Sequence, residues 1–401
     1  MFENIPKRWN IFSLNDLATI ITGNTPPKNY SEYYETEDIL WVKPSDLSEW
    51  NPWLWETEEK LSENARKVIR ILPVNSVLVS CIGTIGKIGI APVELATNQQ
   101  INSVIFNDKI INFKYGYYAF KYYKERLANL ASNAVVPIIN KTQFSTFKIP
   151  VPPTLEEQQE IVDVLDAASE IIRLRTACIE SAQDLIPALF QEMFKNYENN
   201  TILLSSICDI KGGKRLPSGE KLIDAKTEHP YLRVTNFKNQ NIDMNDIKYI
   251  TEDVYKKISR YVITTGDIYI SIAGTIGLVG DIPNELNNAN LTENAARLII
   301  DKKKVNKKYL IYCLNSTFLQ QQIKEATVGV GVPKLALSRI GTLKIYLPDI
   351  KIQEQFAQKV IEIESYIKEQ QEELENAKQM FQSLLHHAFT GELTRRAYGK
   401  N

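Results

Sequence analysis

Cysteine, histidine and methionine are scarce, at 4, 3 and 4 of 401 residues. The four cysteines, Cys81, Cys178, Cys208 and Cys313, lie far apart with no C-x-x-C pair. They read as reduced, buried thiols rather than as a disulfide framework or a metal site. His386 and His387 adjoin near the end of a helical pattern, where imidazole suits the helix dipole. His229 precedes Pro230 in a loop with no evident partner. No H-E-x-x-H and no G-x-S-x-G is present. No metal site, catalytic residue or cofactor is therefore expected in this chain. Gly83-Thr-Ile-Gly-Lys-Ile-Gly lacks the spacing and the Gly-Lys-Ser/Thr ending of a phosphate loop, so a tight turn between strands is expected. An Asn/Asp-Pro-Pro-Tyr run, of the kind that holds a flipped adenine, is missing, as is a nucleotide-binding strand-turn-helix motif. No apolar run approaches the roughly 20 residues of a membrane span. The start, with Glu3 and Pro6, lacks a signal pattern. No membrane association and a cytoplasmic location are expected.

What is present is written twice. Ser80-Cys81-Ile82-Gly83-Thr84-Ile85-Gly86 returns as Ser271-Ile272-Ala273-Gly274-Thr275-Ile276-Gly277. The block from Val136-Pro137 to Pro152 returns as Val332-Pro333 to Pro348 without a gap. Leu14 and Gly23 are echoed by Leu204 and Gly213, and each copy runs into a long helical pattern containing Glu-Gln. A period this long is a domain plus a helix rather than a solenoid unit. Four segments follow: a mixed domain over 1–154, a helix over 155–200, a second mixed domain over 201–348, and a helix with tail over 349–401. In the globular copies, Val77-Leu-Val-Ser, Ser103-Val-Ile-Phe, Asp267-Ile-Tyr-Ile-Ser and Ala296-Arg-Leu-Ile-Ile read as strands. Residues 114–130 and 307–326 read as matching helices.

The long helices carry sustained heptads. Ile161, Leu165, Ala168, Ile172, Ile179, Ala182, Ile186, Leu189 and Met193 alternate 4 and 3 apart, interrupted once by Arg175. Phe356, Val360, Ile363, Ile367, Leu374, Ala377, Phe381, Leu384 and Ala388 do the same around Gln370. Such seams predict a coiled coil, which one chain forms by antiparallel pairing. With the seam centres aligned, Arg175 falls beside Leu374 and Gln370 beside Ile179. The two polar breaks are expected to help fix the register. Pro187 is expected to kink the first helix, and Gly391 to cap the second. The fold class is thus α+β: two repeated mixed domains separated by two long helices in an antiparallel coiled coil.

The net charge of -1 hides an uneven distribution. Residues 155–200 hold 10 acids and 3 bases, and residues 349–393 hold 9 acids and 4 bases. Residues 1–154 carry 16 bases and 15 acids, residues 201–348 carry 21 and 14, and 394–401 add 3 bases. Neutral-to-basic domains suit a polyanion, and acidic helices suit protein contacts.

These residues together resemble the specificity subunits of type I restriction-modification systems. The resemblance rests on Gly-Thr-Ile-Gly after a strand and on the Ile149-Pro-Val-Pro-Pro and Ile345-Tyr-Leu-Pro exits. It rests also on the helix starts Glu157-Gln158 and Glu354-Gln355, and on Ala388-Phe-Thr-Gly-Glu-Leu-Thr. The first copy departs from that last motif, ending Met193-Phe-Lys-Asn. It implies two target recognition domains, each reading one half of a split, asymmetric double-stranded DNA sequence, with the helices setting the spacing. It implies two docked modification subunits that use S-adenosylmethionine to methylate adenine. Restriction subunits with ATP- and Mg-dependent translocase and nuclease activity would join them. Two rivals stand beside this one. The chain could serve a related system whose modification and cleavage functions share one partner chain, or be a coiled-coil scaffold with no DNA role.

If the two domains read different sequences, base readers belong where the copies differ. Gly83/Gly274, Thr84/Thr275 and Asn102/Asn294 agree and read as architecture. Lys87/Leu278, Gln100/Thr292, Ile138/Lys334, Asn140/Ala336 and Lys141/Leu337 differ and include natural readers of base edges. Loop cations complete the DNA-binding candidates: Lys28, Lys43, Arg66, Lys67 and Arg70, then Lys211, Lys214, Arg215, Arg233, Lys238, Lys256, Lys257 and Arg260. Most such contacts go to phosphate, which positions without reading. Trp41, Trp50, Trp53 and Trp55 cluster in the first domain, where core packing is the default and an exposed ring is free to stack on DNA.

Overall fold

Val77–Ser80 is buried at all four positions, as a central strand covered on both faces must be. In this computed structural model, which describes residues 5–132, 135–197, 201–238, 240–327 and 333–393, it lies inside a four-stranded antiparallel sheet. The order is Ala18–Thr22, Ile101–Phe106, Val77–Ser80, Ile88–Ile90. The second copy repeats that order with Cys208–Gly212, Ala295–Ile300, Ile268–Ser271 and Val279–Gly280. A smaller sheet accompanies each. Its shared feature is a parallel pair, Ile39–Val42 with Ala96–Thr97 and Pro230–Leu232 with Ala289–Leu291. A two-stranded ribbon leads to each long helix: Asn10–Ser13 with Lys148–Val151, and Thr201–Leu203 with Lys344–Tyr346. The chain divides into two compact units, residues 1–178 with 370–401, and residues 179–369.

The helix expected over 114–130 is two helices, Phe113–Tyr122 and Lys124–Ala128. Its counterpart is likewise Lys307–Asn315 and Thr317–Ala326. The second break has a clear cause: Ser316 is extended, and its hydroxyl accepts from the Leu319 amide, starting a new helix. Tyr115 and Tyr309 sit wholly buried in the first helix of each pair. Their hydroxyls donate to the carbonyls of Pro150 and Tyr346, at 2.8 and 3.0 Å.

The long helices are Leu155–Phe194 and Ile350–Phe389, 40 residues each. Their starts are anchored by one device used twice. The Gln158 amide accepts from Asn112 N (2.8 Å) and donates to Ile110 O (3.1 Å). The Gln353 amide accepts from Asn306 N (2.9 Å) and donates to Pro348 O (2.8 Å). The counterpart of Gln158 is therefore Gln353, not the Gln355 of the second Glu-Gln. Glu157 has no acidic equivalent in the second helix, where Ile352 stands in its place. It is fully buried, held by Arg8 through two 2.7 Å bonds and by Trp9 Nε1 at 3.1 Å.

Within the first unit, Ile161, Leu165, Ala168 and Ile172 share a core with Ala377, Phe381, Leu385 and Ala388. Tyr118 bonds Asp166 and packs on Phe381, while Tyr115 bonds Pro150 and packs on Phe389. Lower numbers on one helix thus meet higher numbers on the other, and the pair is antiparallel. Arg175 and Gln370, expected beside apolar residues, bond to each other instead at 2.9 Å, and Arg175 also pairs with Glu373. A long arginine reaches along the neighbouring helix to two acceptors one turn apart.

In the second unit, Ile186, Phe190, Phe194, Phe356 and Val360 share the core, while Ile179 and Ile367 are buried. Ile363 and Leu374 are half-buried. Near the C-termini Ile186, Phe381 and Ala388 are buried as the heptads predict, but the pattern slips by one residue at Leu189 and Leu384. Leu189 and Leu384 are half-buried, whereas Phe190 and Leu385 are buried. Contact there runs 186, 190, 194 and 381, 385, 389, four apart, because the helix end lies on a globular domain rather than in a two-helix seam. The second helix ends as expected. Gly391 has φ +73°, and the Glu392 and Gly391 amides return to His387 O (2.9 Å) and Ala388 O (3.3 Å). Val332, the tail 394–401 and the 198–200 link, part of the sequence argument, lie outside the described residues.

Candidate nucleic-acid interface

The glycine turns are tight, as expected. Gly83 and Gly86 have φ +75° and +78°, Gly274 and Gly277 +77° and +89°. That conformation favours glycine. In both copies the preceding serine organises the turn. Ser80 Oγ donates to Thr84 O and accepts from Lys87 N (2.6 and 2.9 Å). Ser271 Oγ does the same with Thr275 O and Leu278 N (2.6 and 2.8 Å). Beside each turn the Val-Pro segment forms a bridge, Ile82 with Ile138 and Ala273 with Lys334, which makes Ile138 and Lys334 true counterparts.

A second loop faces this turn. Gly23 and Gly213 lie so close to the carbonyls of Thr97 and Thr292 that a Cβ would stand 2.2 and 2.1 Å away. Asn24 N and Lys214 N then bond Thr97 O and Leu291 O at 2.9 and 2.8 Å. Trp41 Nε1 donates to Asn24 O (3.3 Å), and Tyr231 OH to Lys214 O (2.8 Å). The Lys43 amide is capped by Asp46 (2.7 Å), the Arg233 amide by Asn236 (2.9 Å). One backbone frame thus carries two sets of side chains.

The frame corrects the pairing of the next segment. Asn98 N and Thr292 N both reach strand ends, Val42 O and Leu232 O, each at 3.0 Å. Gln100 O and Asn294 O both accept from the turn's first residue, Cys81 N and Ile272 N, each at 2.8 Å. So Gln100 pairs with Asn294 and Thr292 with Asn98, not Gln100 with Thr292 or Asn102 with Asn294. Between the turn and this segment the second copy is three residues longer, an insertion that motif matching stepped over.

In the second domain a cleft of about 570 Å³ is lined by Arg215, Tyr231, Arg233, Gly274, Thr292 and Asn294, among others. It gathers three of the sequence candidates. Arg215 Nε donates to Glu293 at 2.6 Å, and Arg233 Nη2 to Asp246 at 2.7 Å, leaving the buried Arg233 Nε without a partner. Burial raises the Glu293 carboxyl, but Arg215 and Thr292 outweigh it and hold it below its ordinary value. Thr292 itself is buried.

The remaining candidates scatter. Lys43 pairs with Glu59, Arg66 with Glu63 and Glu94, Lys238 with Asp243, Lys257 with Glu220. Lys256 lies 3.7 Å from Glu252. Lys87 and Arg70 donate to the carbonyls of Pro44 and Thr22 (3.0 and 2.5 Å). The Gln100 side chain accepts from Asn98 (2.9 Å). Asn140 caps the short helix Lys141–Ser145 through the Gln143 amide at 2.8 Å. Lys28, Lys67, Lys141, Lys211, Lys214, Arg260 and Lys334 are exposed, and among the described residues no ion pair holds them. Lys214 lies over the Tyr261 ring at 5.7 Å.

Sequence reasoning missed several groups. His229 has a partner: Nε2 lies 2.5 Å from Glu252, and the ring stacks on Tyr255 at 3.9 Å. Trp55 is 64% exposed, whereas Trp41 is buried and Trp50 and Trp53 pack on the core. Lys121 lies between the Trp50 and Phe381 rings, 4.2 and 5.0 Å away, and donates to Glu49 O at 2.7 Å. Burial lowers its ammonium to about 8. The signal for Lys121 was an aromatic cluster whose second half lies some 260 residues away.

The type I restriction modification DNA specificity domain model matches residues 6–182 and again 196–376. The MjaIX specificity subunit of a type I restriction enzyme of Methanocaldococcus jannaschii is 26% identical, over 97% of this chain and 94% of its own. The Escherichia coli EcoKI specificity subunit is 21% identical over 97% and 90%. The S subunit of the type I restriction-modification system from M. genitalium shares the fold, with a TM-score of 0.57 at 19% identity over 96% of each chain. A chain from a structure of type I restriction-modification complex assembly gives 0.62 at 16%, over 96% and 98%.

Proposed function

As this chain belongs to the type I restriction-modification DNA specificity family, matched over both repeats, we propose that its two loop rims read the two halves of a split, asymmetric DNA target. The chain is a DNA specificity subunit with two target recognition domains. The observation that carries the assignment of the rims is the duplicated frame. Main-chain bonds at the Gly23/Gly213 loop and the Gly83/Gly274 turn repeat, while the side chains mounted on them do not. A shared frame with unlike side chains suits two readers of different sequence on one kind of ligand.

Catalysis belongs to partner chains in this proposal. Two modification subunits bring S-adenosylmethionine and methylate adenine, and restriction subunits bring ATP- and Mg-dependent cleavage. The long acidic helices supply their docking surface. Among the described residues no helix is long and apolar enough to cross a membrane.

The test is co-expression of the full chain with a candidate modification subunit, followed by genome-wide mapping of N6-methyladenine. A split, asymmetric motif is expected. An active complex that methylates without a split motif would refute the proposal. A partner carrying both modification and cleavage domains would place the chain in the related single-partner system instead.

A further inference from the structure

The two rims carry a matched side-chain bracket. Asn24 and Lys214 occupy one place in the frame, so Thr25 and Arg215, the next residues, occupy another. Gln99 and Glu293 follow the equivalent residues Asn98 and Thr292. In each domain the side chains at these two places bond to each other. Thr25 Oγ1 donates to Gln99 Oε1 at 2.5 Å, and Arg215 Nε donates to Glu293 Oε1 at 2.6 Å. The geometry is shared and the chemistry is not.

In the second domain the bracket presents an arginine fork. Glu293 is fully engaged, since its Oε2 accepts from Thr292 Oγ1 at 3.1 Å. It holds the guanidinium by Nε, while the Arg215 side chain is 79% exposed at the cleft beside the Gly274 turn. The terminal nitrogens then present two parallel donors, the complement of guanine O6 and N7. In the first domain the exposed member is Gln99. With Thr25 donating to its oxygen, Gln99 keeps one lone pair and its amide donor, the complement of adenine N6 and N7. Resting on the DNA-reading function proposed above, we propose that Arg215, steadied by Glu293, reads a guanine in one half-site. Gln99, steadied by Thr25, reads an adenine in the other. Glu293 and Thr25 are positioning residues.

An exposed pair contributes little to folding, so the bracket is exchangeable without loss of the fold. The experiment uses the full chain co-expressed with its modification subunit and reads the methylation motif. Arg215→Thr with Glu293→Gln transplants the first domain's bracket into the second. One strictly read guanine is expected to become adenine, with the other half-site and the spacing unchanged. Thr25→Arg with Gln99→Glu is expected to make the reverse change in the other half. Arg215→Ala alone is expected to relax the same guanine, with discrimination falling roughly 5- to 150-fold. An unchanged motif in these variants overturns the inference, as does a change in both halves from one swap. Loss of all methylation by a folded, complexed R215A also overturns it, because one base contact is too small to carry the whole activity. A wild-type complex with no split motif would overturn the underlying function instead, so the two failures are distinguishable.

Discussion

Gln158 and Gln353 place a whole amide in the interior, at the point where a long helix leaves its domain. Leucine is near in volume but cannot answer the Asn306 amide or the Pro348 carbonyl that Gln353 serves. Gln353→Leu should cost roughly 2–4 kcal/mol, the sum of unmet buried groups, measured by urea unfolding of the full chain. A loss below about 0.5 kcal/mol would mean the amide is not needed there. The cysteines make a pH prediction. Burial pushes Cys81, Cys208 and Cys313 from 9.0 up to about 12. The folded chain therefore keeps protons that the unfolded chain releases. Their stabilisation is complete below pH 9 and is lost as pH rises towards 12. Lys121 acts in the opposite sense, since its penalty, present below about pH 8, is relieved as pH climbs to 10.5. Buried tyrosines such as Tyr117 are raised by desolvation and add to the alkaline loss. Stability should fall from pH 9 to 11, and C81A/C208A/C313A should flatten that fall. An equally steep fall in the triple variant would shift the cause to tyrosine.

Among the elements, the long helices were the most legible in the sequence, since a 3-4 apolar alternation over 40 residues has one good explanation. Their register was not. The antiparallel pair in the first unit is marked by Arg175, Gln370 and Glu373, which the heptads showed only as interruptions. Arg175→Leu should cost about 1 kcal/mol by leaving its two acceptors unmatched, and R175L/Q370L should recover part of that. A double-mutant cycle in thermal melting gives the coupling, expected near 0.5–1 kcal/mol for a pair whose arginine is about a third exposed. A coupling of zero would remove the register role. The shift from Leu189 to Phe190 and from Leu384 to Leu385 was legible only after the fold was known. Both residues of each couple are apolar, and the docking surface alone chooses between them.

For the whole molecule, charge is the observable quantity. The exposed cations Lys28, Lys67 and Lys141 of the first domain and Lys211, Lys214 and Lys334 of the second are unpaired with acids among the described residues, whereas Lys43 and Arg66 of the first and Lys238 and Lys257 of the second are spent in ion pairs. DNA binding by the complex should weaken steeply with salt. Alanine at Lys211, Lys214 or Lys334 should lower the slope by about 1 for each that meets a phosphate, without changing the motif. A slope and motif both unchanged would strike that residue from the interface. Lys334→Ala is the sharpest of these, because its bridge to Ala273 holds it beside the Gly274 turn.

The sequence by itself determined the duplication, the two long helices, the glycine turns and the family. All of these are local patterns: a repeated motif, a heptad, a left-handed backbone that glycine tolerates. Only the tertiary structure decided which residues of the two copies correspond. A three-residue insertion slides the letters past one another, while main-chain bonds to Val42 and Leu232 stay in place. It also separated cations held by acids from those left facing solvent, and it brought Arg215 to Glu293 and Thr25 to Gln99. Those pairs join residues more than 70 positions apart, and only the closing of the sheet brings them within a hydrogen bond.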